Sequence, residues 1–315
     1  MFLAQIRAEE LSSALCMQSP YWAALKEKHG WNVSAFHLSH STLLVLTRTF
    51  FRFATLAYVP FGPQQPVSLR ELSLALKRYL PKGTFAIRYD LPFGMELDSA
   101  GAIVQRDSVQ PDATVVIPLE KGYEAVSKAY RERAKRQLRR SEGLVEVREW
   151  DGSERQFNLF FGLYEQTGRR DGFSTRSRDY LWDVLHGPTG QTKAKLFLAW
   201  RNRQMVGGTI LLYGPKEAIY LFGASARMRD CTASHALQDA MIRFSCDHMI
   251  SRYDLFGVSG KDGRGSHLRS LDVFKTSFGG DVVYRQPTMD WPLSPLLYRC
   301  FTLVEFLRYR LSRGF

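Results

Sequence analysis

Lys195-Leu196-Phe197-Leu198-Ala199-Trp200-Arg201, Met205-Val206-Gly207-Gly208-Thr209-Ile210-Leu211-Leu212-Tyr213 and Ala218-Ile219-Tyr220-Leu221-Phe222-Gly223-Ala224-Ser225 are three apolar-rich runs of strand length, parted by turns at Asn202-Arg203 and Gly214-Pro215. Such short connections predict an antiparallel meander. Behind it, Ala233–Ile250 is amphipathic at helical spacing, and Tyr253–Val258 is again strand-like. Ahead of it the pattern predicts a strand at Thr114–Ile117, one long helix at Gly122–Arg140, a strand at Leu144–Trp150, and helices at Phe157–Arg169 and Ser177–Leu185. The order from residue 112 onward is strand, helix, strand, helix, helix, three antiparallel strands, helix, strand. An α/β unit built around a central meander follows.

The first half carries a weaker version of that order. Ser19 suits a helix N-cap and Pro20 the first helical position. Strands are predicted at Asn32–Leu38, Ser41–Thr47 and Phe53–Tyr58, a helix at Val67–Leu80, a strand at Thr84–Tyr89, an irregular connection over Leu91–Asp112, and a final basic helix at Leu293–Ser312. No close sequence repeat is visible, so the duplication rests on element order alone. At 315 residues the chain is long for one core. Two α/β (α+β) domains are expected, the second beginning at residue 112 with the element order of GNAT-type acyltransferases and the first a weaker version of it.

Forty-three basic residues against 31 acidic ones give a net charge of +12, which favours polyanionic partners such as RNA, nucleotide diphosphates or an anionic lipid surface. The first ten residues lack the basic and apolar regions of a secretory signal, and no run approaches a membrane span. Cys16, Cys231, Cys246 and Cys300 are scattered and read as reduced, buried small hydrophobes of a cytoplasmic protein. His37 and His40 have helix-like spacing but no third ligand, so no metal is expected.

Acyltransferases that use acetyl-CoA cradle its pyrophosphate on a glycine-rich loop after the meander. Here that loop, Ser225-Ala226-Arg227-Met228-Arg229-Asp230-Cys231-Thr232-Ala233-Ser234, contains no glycine, and its β-carbons would obstruct close backbone approach. Arg227 and Arg229 could still hold phosphate through their side chains. A larger polyanion, such as an aminoacylated tRNA end, suits the charge better. Further on, Phe274-Lys275-Thr276-Ser277-Phe278-Gly279-Gly280 holds a lysine between two aromatics, at the expected start of a strand. A cation there could face a developing oxyanion. No Ser-His-Asp or Cys-His arrangement is visible, so no covalent acyl-enzyme is expected.

Seven ordered pieces of the chain resemble the Fem (FemABX) family of aminoacyl-tRNA-dependent peptidoglycan transferases, in the compact form without the helical-arm insertion. They are Tyr21-Trp22-Ala23-Ala24-Leu25-Lys26 with Gly30-Trp31; Tyr58-Val59-Pro60-Phe61-Gly62-Pro63; Gln110-Pro111-Asp112-Ala113-Thr114; Arg139-Arg140-Ser141-Glu142-Gly143-Leu144; Thr167-Gly168-Arg169-Arg170-Asp171-Gly172-Phe173 with Arg176 and Tyr180; Tyr220-Leu221-Phe222-Gly223-Ala224-Ser225; and Phe274-Lys275 with Phe278-Gly279. The resemblance implies two GNAT-like domains with a cleft between them, the final helix returning to the first: residues 1–111 with 288–315, and residues 112–287. It implies aminoacyl-tRNA as co-substrate with no further cofactor, and UDP-MurNAc-pentapeptide or lipid II as acceptor. Lys26 and Arg176 match positions that hold the precursor's diphosphate, Tyr180, Tyr220 and Phe274 match other substrate contacts, and Lys275 matches the lysine near the transfer chemistry. Phe61 departs from the pattern, standing where relatives often carry a basic residue.

The expected activity is therefore aminoacyl transfer to the side-chain amine of the stem peptide, in a monomer. A further expectation is a peripheral contact at the inner face of the cell membrane through the aromatic C-terminal helix (Tyr298, Phe301, Phe306, Tyr309). The basic stretch Lys128–Arg140 is a candidate tRNA-facing surface. Two other readings stay open: a transferase of the same fold acting on a protein N-terminus or an exopolysaccharide, and a non-catalytic module that binds polyanions.

Overall fold

The computed structural model describes residues 2–50, 52–105, 108–261 and 264–312, apart from the side chains of His267 and of residues 306–312. Phe306 and Tyr309 thus lie outside the described side chains. The chain divides into two units: Met1–Ser13, Met17–Gln110 and Arg285–Phe315 form the first, and Ala14–Cys16 with Pro111–Tyr284 the second.

The chain opens with β1 (Leu3–Ile6) and α1 (Pro20–Lys28). Ser19 caps α1, its hydroxyl oxygen accepting the Trp22 N–H, with Pro20 at the first helical position. There follow β2 (Asn32–Leu38), β3 (Ser41–Phe50), β4 (Ala54–Val59), α2 (Leu69–Leu76), β5 (Thr84–Tyr89) and the short β6 (Ile103–Val104). The second unit begins with β7 (Ala113–Pro118), α3 (Gly122–Lys128), α4 (Glu132–Ser141) and β8 (Glu146–Glu149). It continues with α5 (Glu154–Asp171), α6 (Arg178–Leu185), β9 (Lys193–Arg201), β10 (Gln204–Tyr213), β11 (Glu217–Ser225), α7 (Ala233–Asp247) and β12 (Arg252–Asp254). After α8 (Arg269–Lys275) and β13 (Asp281–Tyr284), the chain returns to the first unit with β14 (Met289–Pro292) and α9 (Pro295–Ser312).

Each unit holds one seven-stranded sheet, β1-β2-β3-β4-β5-β14-β6 in the first and β8-β9-β10-β11-β12-β7-β13 in the second. In each, a meander leads through one helix to a strand that lies parallel to the meander's last strand: β4 beside β5 through α2, and β11 beside β12 through α7. The first five strands of one sheet therefore repeat the topology of the other's. The copy also carries a sequence trace: Arg88-Tyr89-Asp90-Leu91 closes β5, and Arg252-Tyr253-Asp254-Leu255 runs through β12 and out of it. The tyrosine of each is fully buried in its own core.

Four local expectations change. The long helix at 122–140 breaks over Ala129–Arg131, where the Arg131 N–H donates to the Ser277 carbonyl (2.9 Å) and the Tyr130 ring meets Phe278 edge-on (5.4 Å). β12 stops at Asp254 because Phe256 and Gly257 turn left-handed (φ 50° and 83°). Lys275 ends a helix rather than starting a strand. Of the cysteines, Cys16 and Cys231 are buried, whereas Cys246 is half-buried and Cys300 exposed. The units part between residues 110 and 111 and between 284 and 285, against expected boundaries at 111/112 and 287/288. Arg285 is held on the first unit by a fully buried ion pair to Asp90 (3.1 Å) and by a hydrogen bond to the Gln110 carbonyl.

Removing only the cation of that pair strands a carboxylate in apolar surroundings. Arg285→Met should cost about 3–5 kcal/mol, read as a drop in urea midpoint, and adding Asp90→Asn should recover a large part of it.

Candidate functional site

Asp90 and Asp254 each leave the parallel strand of their sheet pointing into protein, and each gathers a similar set of partners. Asp90 accepts from the hydroxyls of Tyr58 and Thr288 and pairs with Arg285, whose guanidinium carbon lies 5.9 Å from the Phe61 ring centroid. Asp254 accepts from the Thr114 hydroxyl and the Phe256 N–H, and lies within electrostatic reach of Lys275. The Lys275 ammonium stands 5.5 Å from the Tyr220 ring centroid. Strand register puts Phe61 and Tyr220 at matching positions, one residue beyond the partners of Asp90 and Asp254. Carboxylate, threonine, cation and aromatic thus recur in both units. Phe61 is buried against the arginine of this set.

Lys275 does not stand as an open cation. It is 3% exposed, and its ammonium donates to the carbonyls of Phe256 and Gly257, the latter at 2.6 Å. Those carbonyls belong to the left-handed turn after β12, so the ammonium holds that turn shut. Burial lowers its pKa from the usual lysine value to about 8, with Asp254 and Asp272 acting in the opposite direction. The expectation of a lysine presented directly to a developing oxyanion gives way to one that ties a turn and lies against Tyr220. Tyr220 is half-buried, its phenol raised to about 12 by burial. Gly223 leaves room for it, since a β-carbon there would sit 2.2 Å from the Tyr220 hydroxyl.

Arg176 and Tyr180 also meet, although Arg176 precedes α6. Ser177 caps that helix by accepting the Tyr180 N–H (3.3 Å), and its extended backbone folds Arg176 back until its guanidinium carbon is 5.5 Å from the Tyr180 ring centroid. Tyr180 is buried edge-on against Phe222 of β11, which also meets Tyr164 of α5. Burial lifts the Tyr180 phenol to about 12. Arg176 itself is exposed, a cation on an aromatic shelf. Phe274 is half-buried between His235 (ring centroids 5.0 Å) and Phe278 (5.6 Å). Lys26 belongs to the first unit, half-buried on α1 with its ammonium 4.5 Å from the Trp22 ring centroid. The second unit therefore brings together Arg176 with Tyr180 and Lys275 with Tyr220, while Lys26 is placed on its own unit only.

Sequence reasoning passed over Asp254 and His235. The repeated Arg-Tyr-Asp-Leu offered a signal for the first. His235 offered none: its Nδ1 shares a hydrogen bond with the Thr232 hydroxyl (3.0 Å), and burial pushes its pKa down to about 4. The glycine-free loop after β11 borders a cavity of about 300 Å³ with Arg227, Thr232 and Ser234 in its wall. Among the described residues, no cluster of three or more His, Cys, Asp or Glu could hold a metal ion, and no helix is long and apolar enough to cross a membrane.

The two sheets and their crossovers define a tandem GNAT-like α/β fold. The solved structure of a tandem GNAT protein from the clavulanic acid biosynthesis pathway matches with a TM-score of 0.51, over 93% of this chain and 99% of that one at 10% identity. The crystal structure of FemX matches with a TM-score of 0.78, over 95% of this chain and 99% of that one at 19% identity. The model of the FemAB family matches residues 191–305. The lipid II:glycine glycyltransferase of Staphylococcus aureus (strain bovine RF122 / ET3-1) is 22% identical over 78% of this chain and 76% of that protein. The resemblance to the Fem family read from the sequence is borne out.

The buried lysine gives a pH signature. The folded value of about 8 lies below the 10.5 of a free lysine, so between them the unfolded chain binds more protons. Stability should rise with pH across that window by about 1.4 kcal/mol per pH unit from this group. Chemical unfolding at stepped pH should show the rise in wild type, and Lys275→Met should lack it.

Proposed function

We propose that this chain is an aminoacyltransferase of peptidoglycan bridge synthesis. It moves an amino acid from aminoacyl-tRNA to the side-chain amine of the stem peptide carried by UDP-MurNAc-pentapeptide or lipid II. The observation that carries this reading is a likeness to FemX along 95% of the chain. The similarity to a protein named lipid II:glycine glycyltransferase supports the acceptor class.

The reaction is the aminolysis of an ester. The neutral acceptor amine attacks the aminoacyl carbonyl carbon, a C–N bond forms, the ester C–O bond to the ribose breaks, and the released ribose oxygen takes up the proton the amine loses. Negative charge gathers on the carbonyl oxygen at the midpoint, where a preorganised donor is worth about 2.7–4 kcal/mol. In this reading Arg176 holds the precursor's phosphates on the second unit, and Lys26 is a phosphate-binding candidate of the first. Arg176 suits the task, because its guanidinium is exposed and a planar fork can grip phosphate through two hydrogen bonds. Tyr180, Tyr220 and Phe274 supply the aromatic walls of the substrate site.

Lys275 enters as a positioning residue. Its ammonium fixes the Phe256–Gly257 turn and the Tyr220 ring, and through them the substrate, without touching the reacting carbonyl. Aminoacyl-tRNA rather than a CoA thioester is the donor, since the loop after β11 lacks the glycines that let a pyrophosphate approach the backbone. A peripheral membrane contact accords with α9, which packs Tyr298 and Phe301 inward and exposes Leu296, Leu303 and Val304.

Incubation with a set of charged tRNAs and UDP-MurNAc-pentapeptide or lipid II should add one aminoacyl mass to the precursor, with none added from acetyl-CoA. No mass increment with any pairing removes the proposal, and transfer only to a protein N-terminus or an exopolysaccharide moves it to another acceptor. Arg176→Ala should raise KM for the precursor by about tenfold or more, the loss of one charge-assisted contact. Lys275→Met should lower kcat without moving the precursor KM to the same degree. An unchanged kcat would remove Lys275 from the site.

A further inference from the structure

α4 turns its small and apolar residues inward and its arginines outward. Ala134 and Ser141 are buried and Leu138 is half-buried, while Arg133, Arg136, Arg139 and Arg140 are exposed. Arg133, Arg136 and Arg140 recur at helical spacing on one face and span about 10 Å along the axis. Two acids flank them. Glu132 stands 3.8 Å from Lys135 and 3.9 Å from Arg139, too loose to neutralise the face, and Glu142 lies beyond the helix end.

The face does not end at the helix. Ser141 exchanges hydrogen bonds with the backbone of Thr232, accepting its N–H at 3.0 Å and donating to its carbonyl at 3.2 Å. Arg140 donates to the Arg229 carbonyl (2.9 Å). The loop that bears exposed Arg227 and Arg229 is thereby welded to the end of α4, and the same loop borders the cavity at the start of α7. Asp230, the acid of this loop, is occupied by Arg201 at 2.5 Å. A positive strip thus runs from Arg133 to Arg229.

We propose that this strip is a track for the phosphodiester backbone of an RNA, delivering its end to the loop between β11 and α7. The proposal rests on the reading of the chain as a user of aminoacyl-tRNA, and it assigns that RNA a surface. Arginines regularly spaced along one helix face, bearing no acid at the intervening turns, match a linear polyanion better than a compact anion.

The test measures binding of uncharged tRNA to the full-length protein across a salt series. Arg133→Gln/Arg136→Gln/Arg229→Gln changes exposed side chains and leaves the Arg140–Arg229 backbone bond intact. It should weaken binding by about tenfold or more at low salt and lower the slope of log K against log salt by about two. A control of equal charge on the first unit, Arg70→Gln/Lys77→Gln/Arg78→Gln, should leave both quantities unchanged. Equal weakening by both variants assigns the binding to net charge and overturns the track, as does a wild type that does not bind tRNA. Binding needs no turnover, so the two proposals fail separately. Transfer by the triple variant with an unaltered KM for charged tRNA removes the track alone. RNA binding that maps to the strip in a protein that transfers nothing removes the transferase reading alone.

Discussion

A carboxylate taken out of water has to be met by donors and positive charge, or the unit that buries it does not hold. Asp90 and Asp254 impose that demand at the same place in each unit, where the parallel strand ends. In the first unit the answer is assembled from distant sequence: Tyr58 from β4, Thr288 just before β14, and Arg285, which also holds Gln110. Those are the points at which the chain leaves the unit and comes back to it. The division of the chain into two bodies is therefore written into the solvation of one aspartate. In the second unit Thr114, the turn after β12 and the end of α8 answer the same demand. The place of α8, which no local pattern foretold, follows from where Lys275 has to be.

The duplicated framework changes how Lys275 is understood. Considered alone, a lysine between two phenylalanines near glycines invites a catalytic reading. Beside Arg285, its counterpart against Asp90 and Phe61, it belongs first to a structural set. The two roles are compatible in one way. A turn pinned by an ammonium, with Tyr220 under that ammonium and Gly223 giving room to the phenol, makes a stiff wall. Stiff walls are what a binding site needs if it is to hold two reactants at a fixed approach.

Much of the fold was legible because its signals are local. The three meander strands and the cap at Ser19 with Pro20 rest on neighbouring residues, and all appear where the pattern puts them. The break between α3 and α4 was not legible, because the donor that ends the helix, the Arg131 N–H, finds its acceptor at Ser277, far along the chain. The contact of Arg176 with Tyr180 was not legible either, because they meet across the N-cap at Ser177, where the extended backbone folds the guanidinium back over the ring. The burial of Lys275 was beyond local reading, since both of its acceptors are backbone carbonyls, which sequence does not mark. The repeat of Arg-Tyr-Asp-Leu was in plain view and became meaningful only once the two strands were seen at the same place in their sheets.

The choice of cation in each copy is a chemical difference with consequences. In the first unit the guanidinium of Arg285 reaches Asp90 and the carbonyls of Gln110 and Gln286 together, a forked task that a single ammonium could not meet. The second unit uses a lysine, whose compact head fits between two carbonyls of one turn and whose pKa burial has brought to about 8. Its charge can be withdrawn within reach of neutral pH. When it is, the amine keeps two N–H donors for the two carbonyls, but those bonds lose their charge assistance and Asp254 loses the positive charge beside it. The copy that carries Arg176, Tyr180 and Tyr220 is thus the copy whose clasp is conditional.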